Sequence, residues 1–241
     1  MIKPLQALST WNQKLVNSLI HLEHSSLERC VICLGPAPGL CEACRQDLPA
    51  NHPACRRCAL PLISTNTSLC GGCLARTPQQ DSSDVPWRYQ FPINIMITHY
   101  KYNGQRAFGR ALAKAWTETT GKKGDSLPQA LVPCPIAPER LRERGFNQSA
   151  ELAHWLGREL KVPVRETLIR RRRGTRVQTG LNRRQRLKNL HGAFEVRAPA
   201  PSHIALVDDV VTTGATTEAM AQVLRQHGAR RIEVWALART P

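Results

Sequence analysis

The fold class follows from one stretch near the C-terminus, Ile204-Ala205-Leu206-Val207-Asp208-Asp209-Val210-Val211-Thr212-Thr213-Gly214-Ala215-Thr216-Thr217. Its leading apolar residues predict a buried parallel strand that ends at two adjacent carboxylates. A turn rich in threonine and glycine comes next, and residues 218–225 have helical periodicity. A strand, a tight loop and a helix N-terminus can together hold a phosphate, because free backbone N–H groups point at one spot. The carboxylates would accept hydrogen bonds from hydroxyls, or hold a metal, on the same ligand, so the pattern indicates a sugar phosphate.

The same stretch resembles the ligand-binding loop of the type I phosphoribosyltransferases. In that family an acidic pair contacts the ribose hydroxyls of phosphoribosyl pyrophosphate, and the following turn holds the 5′-phosphate. The resemblance implies ribose contacts for Asp208 and Asp209. It implies 5′-phosphate contacts for Thr212, Thr213, Gly214, Ala215 and Thr216. The alternative is an ordinary strand–loop–helix junction, although the acidic pair, the glycine and the threonines coincide at the offsets of the motif.

The length, charge and cysteine content of the sequence limit its class and its possible partners. A chain of 241 residues has room for one medium domain and a small module. The net charge of +16 and the pI of about 10.1 indicate a polyanionic partner, nucleic acid before an anionic membrane surface. No apolar run is long enough to span a membrane and polar residues interrupt the N-terminal segment, so we expect neither a transmembrane segment nor a secretory signal. Nine cysteines then indicate reduced, metal-bound thiolates in the cytoplasm.

Composition divides the chain into four parts. They are an N-terminal extension (1–28), a cysteine-rich module (29–75), a polar linker (76–86) and an α/β domain (87–241). The extension carries apolar residues at helical spacing, which predicts a short amphipathic helix. That helix would pack on its own protein or contact a membrane or a partner.

The cysteine-rich module is predicted to be a double zinc ribbon with two structural ions. Its cysteines form four CxxC pairs, Cys30/Cys33, Cys41/Cys44, Cys55/Cys58 and Cys70/Cys73. Each CxxC turn presents two thiolates on one side, and two such turns complete a closed tetrahedral site for zinc. Short loop closure favours pairing between neighbours, Cys30/33/41/44 and Cys55/58/70/73. A cross-braced arrangement of the pairs and a set of disulfides are the alternatives.

From residue 87 onward the pattern predicts the strands and helices of one α/β domain. The predicted strands are residues 88–91, 130–132, 163–169, 194–196 and 231–237. Helices are predicted at residues 106–119 and after residue 149. Residues 92–100 fit both classes, because β-branched residues favour a strand whereas Pro92 suits the first turn of a helix. Cys134 lies between two prolines and is predicted to be an inert, packed thiol.

Two basic segments are expected at the C-terminal edge of the sheet, where ligands bind in open α/β folds. The candidate pyrophosphate-binding residues of the first are Arg140, Arg144, Asn147 and Gln148. The second carries nine basic residues and no acid, namely Arg170, Arg171, Arg172, Arg173, Arg176, Arg183, Arg184, Arg186 and Lys188. Such unbalanced charge indicates an anionic ligand, so this segment would close over a pyrophosphate or receive a nucleic-acid backbone. Solvated charge is the alternative for both segments.

Together these motifs resemble the ComF/GntX family, phosphoribosyltransferase-like proteins linked to natural competence and the use of external DNA. The carriers are the CxxC pairs, Lys101-Tyr102, Val132-Pro133-Cys134-Pro135, Arg144-Gly145-Phe146-Asn147-Gln148, the spaced Thr175, Gln178, Leu181, Arg186 and Asn189, and residues 207–216. The resemblance implies a type I phosphoribosyltransferase-like parallel sheet with flanking helices, preceded by the double zinc ribbon. It also implies a helix at residues 92–100.

The resemblance implies the handling of single-stranded DNA in the cytoplasm, during the uptake or use of external DNA. Its ligand site would take phosphoribosyl pyrophosphate or a related nucleotide, with Mg²⁺ on the pyrophosphate. The DNA-uptake machinery at the inner membrane is a candidate partner. Aromatic residues make up only 5% of the chain, so DNA contacts are expected to run mainly through phosphates. A true phosphoribosyltransferase and a sensor of phosphoribosyl pyrophosphate are the alternatives, because the sequence identifies neither a nucleobase pocket nor a catalytic residue.

Overall fold

The centre of the molecule is a parallel β-sheet with helices on both faces. The computed structural model describes residues 29–122, 124, 127–172 and 192–241. The strands of the sheet are β1 (Ser82–Asp84), β2 (Trp87–Arg88), β3 (Ala130–Pro133), β6 (His203–Val211) and β7 (Arg231–Arg239). Their order is β1-β7-β6-β3, β2 also pairs with β7, and these pairings are parallel. A separate antiparallel pair consists of β4 (Ile169–Arg171) and β5 (Phe194–Val196).

The helices lie in the cysteine-rich module and on the two faces of the sheet. They are α1 (Glu42–Gln46), α2 (Gly71–Ala75), α3 (Ile93–Tyr102), α4 (Arg106–Thr120), α5 (Pro138–Arg144), α6 (Gln148–Leu160) and α7 (Ala215–Gln226). The helix implied for residues 92–100 is therefore present as α3. The overall architecture is the parallel sheet with flanking helices that the sequence predicts.

The core has two halves because successive residues of a strand point to opposite faces of the sheet. On one face, Ile204 and Leu206 of β6 pack with Leu224 of α7. On the other face, Val207 packs in one cluster with Trp235 of β7 and with buried residues of α3, α4 and α6. The alternation holds from Ile204 to Val207 but not at the end of β6, where Val210 packs in the second cluster and Val211 in the first.

Strand β6 is longer than the sequence predicts. The prediction that it ends at the acidic pair is wrong, because β6 continues through Val211 and remains paired with β7 up to Arg239. The side chain of Asp209 is buried and forms an ion pair with Lys101, so its charge does not force the strand to end. The β-branched Val210 and Val211 suit the continued strand.

The predicted strand at residues 163–169 is mostly absent. Strand β4 begins only at Ile169, and the earlier residues form a single bridge between Val164 and Leu131. Pro163 contributes a carbonyl that accepts from the Leu131 N–H, at 2.9 Å, but it has no N–H of its own to extend the ladder. The segment therefore borders β3 without becoming a full strand.

The cysteine-rich module packs directly against the sheet. The Asn51 side chain donates to the carbonyls of Ala59 and Val85, at 2.9 and 3.1 Å, and so ties the module to the segment that leads into β2. The Ser83 N–H donates to the Arg56 carbonyl at 2.8 Å. Within the predicted linker at 76–86, residues 82–84 form the edge strand β1. The junction between module and domain is thus part of the sheet over those residues.

Two of the predicted segments fall outside the described residues. They are the extension at 1–28 and residues 173–188 of the second basic segment, which include Arg173, Arg176, Arg183, Arg184, Arg186 and Lys188. Within the described ranges, none of the helices has the length and hydrophobicity to cross a membrane.

Candidate functional site

The eight cysteines of the CxxC pairs form two clusters of four. Cys30, Cys33, Cys41 and Cys44 make the first, and Cys55, Cys58, Cys70 and Cys73 make the second. This grouping confirms pairing between neighbours and not the cross-braced alternative. Within each cluster the sulfur atoms lie within 4.8 Å of one another. Every one of these cysteines is a free thiol in the structure, so the disulfide alternative is wrong.

The geometry of both clusters fits zinc. The Sγ atoms of Cys33 and Cys41 are 3.7 Å apart, and those of Cys58 and Cys70 are 3.6 Å apart. Zn–S bonds of about 2.3 Å place the sulfurs of a tetrahedron about 3.8 Å apart. Burial opposes ionisation of Cys55, but N–H groups of Cys70, Cys58 and Arg57 donate to its sulfur and lower its pKa to about 7. The clusters could therefore bind two zinc ions, one each, as closed structural sites.

The acidic pair lies where β6 approaches the C-terminal edge of the sheet. The hydroxyl of Ser149, in the first turn of α6, donates to Asp208 Oδ1 at 2.9 Å, and the Asp209 N–H donates to the same oxygen at 2.9 Å. Burial raises the pKa of Asp208, while Lys101 and hydrogen bonds from Ser149 and Cys134 act in the opposite direction. The Cys134 thiol thus donates to the carboxylate of Asp208, a contact that the sequence did not predict.

Lys101 is the site residue that the sequence analysis missed. It lies near the end of α3, its side chain is mostly buried, and its amine forms an ion pair with the buried carboxylate of Asp209. Burial lowers the pKa of Lys101 to about 8, the charges of Arg144 and Arg140 add to this decrease, and Asp208 opposes it. In the sequence, Lys101 is noted only as part of the Lys101-Tyr102 pair, and the family resemblance assigns no role to that pair.

We expect Lys101 to titrate with a midpoint near pH 8, which NMR of its ε-carbon can measure. Between that pH and its ordinary pKa of 10.5, the unfolded chain keeps a proton that the folded chain has lost. The contribution of Lys101 to the free energy of unfolding therefore increases as the pH rises through that window. In the folded chain the Lys101 cation next to the acidic pair is lost as the pH rises through about 8, so affinity for an anionic ligand should fall there. A midpoint near 10.5 would contradict the burial of this amine.

The turn after β6 has the features of a phosphate-binding loop. Gly214 precedes α7 with a φ of 72°, a left-handed conformation that favours glycine. The Thr217 hydroxyl donates to the Gly214 carbonyl at 3.0 Å and the Ala215 N–H reaches Thr213 Oγ1 at 3.4 Å. The first turn of a helix leaves N–H groups without intrahelical partners, and the helix dipole makes that end attractive to anions. The five predicted phosphate contacts therefore lie together on one turn at the N-terminal start of α7, namely Thr212, Thr213, Gly214, Ala215 and Thr216.

The first basic segment forms α5 and the turn into α6. Asn147 caps α6 by accepting from the Ser149 N–H at 3.0 Å, and its amide donates to the Cys134 carbonyl at 3.2 Å. Gln148 is buried and accepts from Arg144 Nη1 at 3.1 Å. Asn147 and Gln148 therefore hold the loop in place, while the charges of Arg140 and Arg144 act on Lys101.

The described part of the second basic segment meets the first. Arg170 and Arg172 form ion pairs with Glu195 of β5, at 2.8 and 3.5 Å, an acid that the segment itself lacks. Burial and the nearby charge of Arg140 lower the pKa of Arg171. Arg170 and Arg171 line a cavity of about 490 Å³ whose other wall includes Asn147 and Leu141. The described residues of the two basic segments are thus neighbours around one cavity.

The second cysteine cluster is connected to the turn of residues 212–216 through Arg239 at the end of β7. Its side chain donates to the Cys58 carbonyl from Nε at 3.1 Å and to the Val211 carbonyl from Nη1 at 3.3 Å. Val211 is the residue directly before the turn. Glu218, in the first turn of α7, is buried and forms an ion pair with Arg76 at 3.4 Å. The cysteine-rich module and the first residue of the linker therefore contact the residues on either side of the turn.

Comparison with known proteins places the chain in a family. No protein-family model matches it. It is 32% identical over 223 residues to Competence protein F of Haemophilus influenzae and 33% identical over 224 residues to DNA utilization protein YhgH of Escherichia coli O157:H7, and each match covers 88% of this chain and 96% of the relative. Competence protein ComFC of Bacillus subtilis is 28% identical over 210 residues, 83% of each chain.

One solved structure overlaps part of the fold. It is a purine phosphoribosyltransferase from Pyrococcus horikoshii, at 21% identity and a TM-score of 0.29, over 54% of this chain and 69% of that one. An overlap so partial says nothing about the site. The matches to Competence protein F and to YhgH, by contrast, cover 96% of each relative. The chain belongs to the ComF family of competence and DNA-utilization proteins.

Proposed function

We propose that this protein handles single-stranded DNA in the cytoplasm and that its sheet edge binds phosphoribosyl pyrophosphate or a related nucleotide. The first support is the family, whose members are named for competence and DNA utilization. The second is the net charge of +16, which suits a polyanion. The single observation that carries the ligand site is the acidic pair on β6 directly before a glycine-containing turn and a helix N-terminus.

Each part of the ligand has a matching group at this edge. The ribose hydroxyls would donate to the carboxylates of Asp208 and Asp209, which Ser149 and Lys101 hold in fixed positions. The 5′-phosphate would lie on the turn of residues 212–216. The pyrophosphate would meet the positive charges of Lys101, Arg140 and Arg144, and a Mg²⁺ ion bound with the ligand would offset more of its negative charge. DNA-uptake machinery remains a candidate partner on family grounds alone.

The alternative of a true phosphoribosyltransferase uses the same groups. Its rate would come from positioning the ribose and from stabilising positive charge at the reacting carbon. A sensor would bind the same ligand without turnover. Release of pyrophosphate in the presence of candidate bases separates these two from each other.

The proposed function is tested by titrating the purified protein with phosphoribosyl pyrophosphate and with single-stranded DNA, separately and together. We expect both to bind, and we expect each to change the affinity of the other by the same factor because linkage is reciprocal. Binding of the small ligand without any DNA binding would favour the transferase or sensor. Binding of neither would overturn the proposal.

Binding of single-stranded DNA should weaken steeply with salt. Each neutralised phosphate contributes about −0.7 to the slope of log K against log salt, so four to six phosphates give about −3 to −4. Replacing Arg171 and Arg172 with alanine should flatten the slope by up to about 1.4. The affinity should fall similarly for every base sequence, since phosphate contacts carry no base information.

A matched control removes the same charge elsewhere. Lys114 of α4 and Arg158 of α6 line a groove against the first cysteine cluster, away from the helix start that carries Ser149. Alanine at both positions should leave the slope nearly unchanged. Equal flattening in the two double variants would mean that DNA affinity depends on the total charge of the protein and not on the basic residues at the sheet edge.

A further inference from the structure

Tyr102 is an unusually exposed aromatic residue for its position. It is the last residue of α3 and directly follows Lys101. The residue is 62% exposed. A tyrosine held in the open on a strongly basic protein offers a flat ring to solvent. Aromatic rings in such settings stack with unpaired nucleobases, because every base has a π-face.

The ring of Tyr102 is held in place by Arg144. The guanidinium carbon lies 4.7 Å from the ring centroid, and Nη2 donates to the tyrosine hydroxyl at 3.1 Å. The other end of the same guanidinium donates to Gln148 Oε1 at 3.1 Å. Because Gln148 is buried, the arginine and the ring are positioned before any ligand arrives.

This pair lies beside the acidic pair. Lys101, the neighbour of Tyr102, forms the ion pair with Asp209. Gln148, the partner of Arg144, is followed by Ser149, which donates to Asp208. Both members of the pair are therefore linked to the ribose-binding carboxylates through one adjacent residue.

A second arginine–aromatic contact lies next to the first. The guanidinium of Arg106 is 5.2 Å from the ring centroid of Phe146, two residues after Arg144. Phe146 is also 5.7 Å from Tyr100, whose hydroxyl donates to the Gln148 carbonyl at 2.8 Å. These contacts brace the loop that carries Arg144, and they add a half-buried ring to the same surface.

We propose that Tyr102 and Arg144 form a stacking platform for an unpaired nucleobase whose sugar and phosphate reach the acidic pair and the turn. This proposal rests on the proposed function and adds the base-binding part of the same site. The base belongs either to single-stranded DNA or to a free nucleotide, since both present an aromatic ring on a sugar phosphate. DNA contacts at this site would then include a base as well as phosphates.

The test compares oligo(dA) with a strand of the same length in which every base is missing. Fluorescence anisotropy at one salt concentration reports both affinities. In the wild-type protein oligo(dA) should bind about tenfold more tightly than the abasic strand, the size of one good stacking contact. Tyr102→Ala should remove this advantage and leave the affinity for the abasic strand unchanged, whereas Tyr102→Phe should keep most of it.

Phe91 supplies the matched control. It is 77% exposed and precedes α3, so it lies at the opposite end of the helix from Tyr102. Phe91→Ala should keep the full advantage of oligo(dA). Equal wild-type affinity for the two strands, together with equal affinity for adenosine monophosphate and ribose 5-phosphate, would overturn the platform, and so would a Tyr102→Ala variant that weakens both strands equally.

The same variants identify the source of the base. Adenosine monophosphate compared with ribose 5-phosphate tests the free nucleotide, and a base advantage in either comparison that disappears in Tyr102→Ala supports the platform. If phosphoribosyl pyrophosphate fails to bind while oligo(dA) keeps its advantage, the proposed ligand site is wrong and the platform stands. If the molecule that carries a base binds no more tightly in either comparison, the platform is wrong, while the proposed phosphoribosyl site is not affected.

Discussion

Replacing Cys55 with serine is expected to release one of the two zinc ions and to abolish sugar-phosphate binding. Structural zinc contributes about 10–16 kcal/mol of apparent binding free energy in small ribbons at pH 7, and that free energy is folding free energy. Cys55 is buried among the second cluster, and few other apolar groups surround that cluster. Its loss should release the Cys58 carbonyl from Arg239 and so loosen the Val211 carbonyl before the turn of residues 212–216. Metal analysis and calorimetry with phosphoribosyl pyrophosphate measure the two effects.

Cys33→Ser is the matched control for this prediction. Cys33 is an exposed member of the first cluster, and Arg45, next to Cys44 of that cluster, forms an ion pair with Glu118 of α4 at 3.3 Å. It should also lose one zinc ion, yet bind the small ligand much better than Cys55→Ser. Equal ligand binding by the two variants would contradict the connection through Arg239. Zinc content near one ion per wild-type chain would contradict the double site.

Replacing Asp208 and Asp209 together with asparagine is expected to weaken binding of phosphoribosyl pyrophosphate at least about 100-fold. Each hydrogen bond to a charged group contributes about 1.5–3 kcal/mol, and two such bonds to ribose hydroxyls would be lost. The domain should stay folded. Asp208 raises the pKa of Lys101, so its replacement lowers that pKa further and makes it easier for the buried amine to lose its proton.

Glu139→Gln provides the control for the acidic pair. Glu139 is an exposed carboxylate in the first turn of α5, within the same basic segment, and its side chain has only a distant contact with Arg142, at 3.9 Å. Its removal should leave the affinity unchanged. Circular dichroism checks that the Asp208/Asp209 variant is folded. Full affinity in that folded variant would remove the ribose assignment.

The parts of the site that the sequence predicts are those that are contiguous along the chain. Asp208, Asp209 and the turn lie within one strand–loop–helix segment, so their order alone fixes their relative positions. The cysteine clusters were predictable for a similar reason. Short loops between CxxC pairs make pairing between neighbours the least costly arrangement, and the clusters have that grouping.

The parts that the sequence does not predict depend on packing between distant segments. Lys101 reaches the acidic pair only because α3 lies beside the sheet, and its ion pair in turn allows β6 to continue past Asp209. Arg239 resembles any arginine near a C-terminus until β7 brings it between Cys58 and Val211. The contact between Tyr102 and Arg144 likewise joins two helices, so composition, with few aromatic residues, gave no sign of a stacking surface.

The most direct test of the central claim is a crystal structure of the protein with phosphoribosyl pyrophosphate and Mg²⁺. We predict that the 5′-phosphate lies on the turn of residues 212–216 and that the ribose hydroxyls donate to Asp208 and Asp209. The pyrophosphate should lie within reach of Lys101 and Arg144. A ligand bound elsewhere on the protein, or no bound ligand at saturating concentration, would contradict the claim that this sheet edge is a phosphoribosyl site.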